Sequence, residues 1–227
     1  MGLRFTFRLY AANVLRPDPH SYDADLDRRL GVDTTGAWDY PTDARPWAEA
    51  EGYEATRVDV ARYAFGLLSI DIDTAELWDL GSGKGRITVL AAEHGFKRSV
   101  GVECNEELHR VATANVEAAR AVLPPVDIEL LSCSATEVTW PDQPLVVFMF
   151  NPFGGHVFDQ VVASLEARAR RGRRSLHVIY VNPRERERLD RSPVFELLAE
   201  ERLPTPWTTL IYGATGTPPL DPSVPGT

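Results

Sequence analysis

The sequence predicts an α/β protein: a doubly wound, mostly parallel sheet with helices on both faces. Three observations carry that reading. From residue 75 onward, short apolar runs alternate with helix-length segments, and parallel strands need crossovers of that length. Residues 77–86, L-W-D-L-G-S-G-K-G-R, pass from an apolar run through an acid into glycines at alternate positions, Gly81, Gly83 and Gly85. A second apolar run, residues 99–102, leads into Glu103. A strand that turns through glycines into a helix, followed by a strand ending in a carboxylate, is how open α/β sheets hold a nucleoside. The glycines permit a tight turn and let ligand atoms approach where a Cβ would collide.

The elements follow in order. Phe5, Phe7 and Leu9 alternate with polar residues, which fits a short strand or a helix. Residues 21–39 are rich in acids and turn formers. Residues 1–43 together are expected to form an arm that packs over the ligand mouth as a lid or pairs two subunits into a homodimer. Residues 46–70 read as helical, with Val58, Ala61, Phe65 and Leu68 at helix spacing. Strands are expected at 75–80, 98–103, 126–132, 145–150 and 175–181, and a last one at 207–212. Helices are expected at 84–95, 106–121, 156–171 and 185–201. Pro124 and Pro125 break the pattern between helix and strand. The domain proper spans 44–213. Residues 214–227 are rich in proline and glycine and read as a flexible tail.

Composition sets outer bounds. At 227 residues, with 25% charged and 44% hydrophobic residues, the chain has the make-up of a globular protein. No apolar run approaches the roughly 18 residues of a membrane span. The N-terminus lacks the apolar core of a signal peptide, and its M-G-L-R-F-T start is too short a match to a myristoylation pattern to carry weight. Two cysteines, Cys104 and Cys133, fall at the ends of predicted strands, where they could lie near each other in the nucleoside pocket, and suggest neither a disulfide framework nor a zinc site. The expected location is cytoplasmic, with no membrane partner and no metal. The net charge of −9 argues against nucleic acid as a partner. The basic cluster at 168–174 reads as a solvated helix C-terminus whose cations complement the dipole.

The glycine spacing narrows the nucleoside. The dinucleotide fingerprint G-x-G-x-x-G requires a third glycine where this chain has Arg86, and no G-x-x-x-x-G-K-[ST] phosphate loop occurs. With an acid two residues before the first glycine, the pattern D-x-G-x-G-x-G resembles the first motif of the class I, Rossmann-like S-adenosylmethionine (SAM) methyltransferases. The match continues in order through Glu103 and through residues 145–151, L-V-V-F-M-F-N, to Asn151-Pro152-Phe153. It covers about residues 50–212. The resemblance implies a seven-stranded sheet with an antiparallel last strand, SAM as cofactor, and a transferase activity.

It also implies roles for particular residues. Asp79 accepts a hydrogen bond from the methionyl ammonium, or acts as a cap-like acid fixing the turn. Gly81, Ser82 and Gly83 present backbone groups, and Glu103 holds the ribose hydroxyls through charge-assisted bonds of about 1.5–3 kcal/mol each. Cys104 flanks the same pocket. Ser134 stands where the family often has an aspartate at the adenine, so the Ala135 N–H or Glu137 is expected to substitute. Tyr53 and Thr56 resemble the segment that closes over the methionine moiety in lysine methyltransferases lacking a SET domain; Thr56 would then bind the methionyl carboxylate, the alternative being a first-turn helix residue. Asn151 and Phe153 are expected on the methyl side, where Asn151 contacts SAM or the acceptor, or caps the next helix. His156 and Tyr180 are candidate bases or substrate contacts. The implied reaction is methyl transfer to a small molecule or a protein side chain. Use of the aminocarboxypropyl group, cyclisation, or SAM binding without turnover are the alternatives.

Overall fold

The computed structural model describes residues 19–38, 52–172, 175–203 and 205–216. Within them, helix α1 (Pro19–Leu30) leads to a two-stranded ribbon, β1 (Ala37–Trp38) and β2 (Tyr53–Glu54), and to α2 (Val58–Gly66). Then come β3 (Glu76–Leu80), α3 (Arg86–His94), β4 (Arg98–Val102), α4 (Glu106–Arg120) and β5 (Asp127–Leu131). The second half holds β6 (Leu145–Phe150), α5 (Gly155–Arg171), β7 (Leu176–Val181), α6 (Arg186–Asp190), β8 (Phe195–Glu201) and β9 (Thr209–Ala214).

The large sheet has seven strands in the order β5-β4-β3-β6-β7-β9-β8. Strands β3 to β7 are parallel to their neighbours, and β9 runs antiparallel to both β7 and β8. The order reverses between β3 and β6. Such a switch point leaves a crevice beyond the carboxyl ends of the strands, where ligands bind.

Strand alternation builds the two-sided core. Leu77, Val146, Phe148 and Ile179 face the layer of α1, α2, α3 and α4, meeting Leu26, Phe65, Leu90 and Val116. Trp78, Leu145, Val147 and Val178 face the layer of α5 and α6, meeting Phe158, Val161 and Leu189. Burial on both sides explains why β6 reads as an uninterrupted apolar run. Helix α4 is started by Asn105, whose side chain accepts from the Glu107 and Leu108 N–H groups at 2.9 and 3.0 Å.

Four expectations change. The helix expected at 46–70 begins only at Val58, and Tyr53–Glu54 is a strand; residues 46–51 lie outside the described residues. The helix expected at 185–201 is the short α6 followed by β8. Pro193 forbids a continuous helix there, and β9 offers F-E-L-L-A-E-E a strand to pair with. The last strand is displaced by two residues, to Thr209–Ala214. Arg168 is not a solvated cation: it is buried, and its Nε donates to the Pro141 carbonyl at 2.9 Å. The strand weighed at 5–9 and the tail beyond 216 fall outside the described residues. No helix among those described is long and apolar enough to cross a membrane.

Candidate functional site

Past the carboxyl ends of β3, β4, β5 and β6 lies a cavity of about 430 Å³. That is the size of a small-molecule site. Its lining comes from the glycine loop, the two acids, the turn after β5, the segment 52–56, and the residues around Pro152.

The glycine loop is built by its neighbours. The Gly81 and Ser82 N–H groups donate to the Val102 carbonyl at 2.9 and 3.0 Å, and the Gly83 N–H donates to Glu103 Oε2 at 2.8 Å. Those three donors therefore hold the loop to β4 instead of facing a ligand. All three glycines have positive φ. A Cβ on Gly81 would sit 2.4 Å from Pro152 Cβ, and one on Gly83 would sit 2.1 Å from the Tyr53 ring. A Cβ at either glycine would therefore collide with a side chain that lines the cavity.

Two carboxylates share the cavity. Asp79 and Glu103 are 4% and 3% exposed. Burial, with the Glu103 charge added, pushes the Asp79 carboxyl up to about 8, against the weak pull of the Thr88 hydroxyl at 3.5 Å. Burial also raises Glu103, opposed by the N–H groups of Asn105 and Gly83. The Asn105 N–H reaches Glu103 Oε1 at 2.8 Å. The Gly83 and Asn105 N–H groups thus bond one Glu103 oxygen each, and the Cys104 N–H and thiol bear on the same carboxylate. Two buried acids of this kind suit a ligand with a cationic end and hydroxyl donors.

The N-terminal segment forms one wall. The Tyr53 hydroxyl donates to the Thr34 carbonyl at 2.7 Å, and Asn115 joins Asp33 to the Lys84 carbonyl of the glycine loop. Arg86, the first residue of α3, is 3% exposed and lines the cavity. Its Nε donates to Thr34 Oγ1 at 2.8 Å, and its Nη1 reaches the Thr56 carbonyl at 3.0 Å and Asp23 Oδ1 at 3.2 Å.

The opposite wall is apolar, made by Phe150, Pro152, Phe153 and Val157. Asn151 lies behind it with φ of 40°, and its Oδ1 accepts from the Tyr180 hydroxyl at 3.4 Å. Tyr180 is fully buried, stacks on Phe158 at 5.4 Å, and accepts the Glu185 N–H.

Of the residues expected from sequence, Tyr53, Thr56, Asp79, Gly81, Ser82, Glu103, Cys104, Ser134, Ala135 and Phe153 line one cavity. Gly83, Asn151, His156 and Tyr180 do not. Gly83 lies under Tyr53, Asn151 and Tyr180 satisfy each other, and His156 is exposed on α5 beside Gln160. Glu137 is also outside, its carboxylate accepting the Ser134 N–H at 2.8 Å. Sequence reasoning missed Arg86, Phe150 and Val157, whereas Glu54, Cys133 and Pro152 lie in segments it places at the pocket. Arg86 carried a signal: a cation opening a helix opposes the dipole and needs a compensating anion. Among the described residues, no group of three His, Cys, Asp or Glu side chains could hold a metal ion.

No family model matches the chain. No curated protein matches it either. Solved structures do. PH1948 of Pyrococcus horikoshii, described as a candidate RNA methyltransferase, superposes with a TM-score of 0.56 at 16% identity, over 84% of this chain and 97% of its own. The ribosomal protein L11 methylase of Lactobacillus delbrueckii gives 0.50 at 17% identity, over 67% and 77%. A precorrin-6y methyltransferase of Geobacter metallireducens gives 0.51 at 15% identity, over 70% and 88%. The likeness to PH1948 overturns the argument from net charge against nucleic acid: a sum over the whole chain says nothing about the potential at one cavity. The fold is thereby settled as the one these methyltransferases share, which is the fold that the glycine loop and the spaced acid resemble.

Proposed function

We propose that this chain transfers a methyl group from SAM to an acceptor that approaches the Pro152–Phe153 wall. The observation that carries the reading is the pair of buried carboxylates, Asp79 and Glu103, at the ends of adjacent strands on one cavity. The residues fit the cofactor: two acids for its ammonium and ribose hydroxyls, apolar surface for its adenine and sulfonium, and two buried donors, Ser82 Oγ and Arg86 Nη2, with no protein acceptor. SAM supplies a sulfonium-activated methyl, so the protein's task is to bind, orient and exclude water.

In this reading Asp79 accepts from the methionyl ammonium, whose charge returns the carboxyl to its ionised form. Glu103 takes the ribose hydroxyls with its carboxylate. Ala135, Ser134 and Cys104 flank the adenine, and Tyr53 with Thr56 closes the methionine end. Phe150, Pro152, Phe153 and Val157 keep the reacting side dry. Asn151 and Tyr180 set the course of the chain behind that wall.

Calorimetry with SAM, followed by incubation with methyl-tritiated SAM and candidate acceptors, tests this. RNA comes first, because PH1948 shares the fold over most of this chain. Label in the acceptor with S-adenosylhomocysteine as the other product is the expected result. Absence of SAM binding by the wild type, or unchanged affinity in Glu103→Ala, overturns the proposal. Methylthioadenosine as the product would replace methyl transfer with use of the aminocarboxypropyl group.

A further inference from the structure

We infer that Arg86 anchors the α-carboxylate at the amino-acid end of the cofactor, a role that sequence reasoning gave to Thr56. The inference rests on the reading of SAM as ligand and goes beyond it by assigning a residue that the glycine motif does not contain.

A guanidinium carries five N–H donors. Nε is used by Thr34 Oγ1, and Nη1 by the Thr56 carbonyl and Asp23. Nη2 is fully buried and has no hydrogen-bond partner in the protein. Leaving charged donors unpaired in the interior is costly, and the group concerned belongs to a residue on the cavity wall. Asp23 Oδ1 takes Nη1 and the Val58 N–H, and neither contact reaches Nη2. The position adds to the demand: Arg86 opens α3, where the helix dipole favours an anion and opposes a cation.

The surroundings identify the anion. Asp79, Arg86 and Tyr53 line the same cavity. One buried acid and one buried guanidinium on a shared wall complement an ammonium and a carboxylate on one carbon. A guanidinium fork suits a carboxylate better than a lone hydroxyl does. The Thr56 carbonyl accepts from Nη1 and so holds the guanidinium in place. Ser82 Oγ, the other buried cavity donor without a partner, stands ready at the same loop.

The test compares three ligands by calorimetry: SAM, decarboxylated SAM and methylthioadenosine. The wild type is expected to bind SAM at least tenfold more tightly than decarboxylated SAM, which differs only in the carboxylate. Arg86→Met is expected to abolish that preference while leaving methylthioadenosine affinity within about twofold, which also shows that the variant is folded. Equal wild-type affinities for SAM and its decarboxylated form would overturn the inference even if Arg86→Met failed to fold. So would a parallel loss of all three ligands in a folded Arg86→Met, which would make the residue a strut for the N-terminal segment. Wild-type protein that binds none of the three would instead remove the SAM reading itself, and the anchor with it.

Discussion

The two edges of the same sheet treat charge in opposite ways. At the amino edge, Arg98 of β4 reaches Glu76 of β3 at 3.8 Å and Asp127 of β5 at 3.3 Å, and also pairs with Glu129. The strand register places Glu76, Arg98 and Asp127 side by side, so one cation is matched to its neighbours with water nearby. At the carboxyl edge, Asp79, Glu103 and Arg86 are nearly devoid of solvent and keep bonding capacity that the protein does not fill. The first arrangement pairs its cation with three carboxylates and ties strands together, although Arg98 Nε makes no hydrogen bond. The second sets two buried acids and a buried guanidinium around one cavity, which is the arrangement the proposed function uses.

The largest expected effect lies at the carboxyl edge. Glu103→Ala removes two charge-assisted bonds of about 1.5–3 kcal/mol each, so SAM affinity should fall about a hundredfold or more by calorimetry. A change under threefold would break the contrast between the edges. Next comes Gly83→Ala. The added Cβ meets the Tyr53 ring at φ of 52°, a strain of about 1–3 kcal/mol. Thermal unfolding should fall by about 2–4 °C per kcal/mol, and Tyr53→Ala in the same chain should recover part of the loss.

Asp79 gives the contrast a pH signature. Its folded pKa of about 8 stands above the ordinary 3.8, so between those values the folded state holds a proton that the unfolded state has released. Stability therefore falls as pH rises through that window. Asp79→Asn cannot ionise. Its melting temperature should drop less than the wild type's between pH 6 and pH 9, and should exceed it by a few degrees at pH 9, while its SAM affinity is reduced. A steeper fall in the variant would refute the buried-acid account. Tyr180→Phe removes two long hydrogen bonds, at 3.4 and 3.2 Å, and should cost about 1 kcal/mol of stability with SAM affinity within twofold. Were Tyr180 the general base, turnover would instead fall by about 10²–10⁴.

Much of the fold was legible because β3, β4, β6 and β7 are buried on both sides and are therefore mainly apolar, β6 throughout. Strand β8 was not legible: F-E-L-L-A-E-E has helical residues at helical spacing, and what decides its state is pairing with β9, a tertiary fact. In the site, Asp79 and Glu103 follow from their place at strand ends. Arg86 was visible only as a missing glycine, because its burial depends on Asp23 and Thr34, more than fifty residues earlier in the chain. Asn151 and Tyr180 were placed at the site because they lie at carboxyl ends of strands. Position along a strand does not tell which way a side chain turns, and these two turn toward each other.

The smallest expected effect closes the comparison from the amino edge. Arg98 touches three carboxylates, more partners than either buried acid at the other edge has cations. By count of contacts it should matter most. Its side chain is 32% exposed and those of Asp127 and Glu129 are 64% and 40% exposed, so these ions keep much of their hydration when apart, while the buried Glu76 keeps the bond from the Trp78 indole N–H. Exposed pairs contribute about 0–1 kcal/mol, and the aliphatic stem would survive in Arg98→Met. That variant should unfold within about 1 kcal/mol of the wild type, with part of the difference removed by salt, and should bind SAM unchanged. A loss of SAM affinity would mean that strain at one end of β4 reaches Glu103 at the other, and the two edges would then have to be treated as one system.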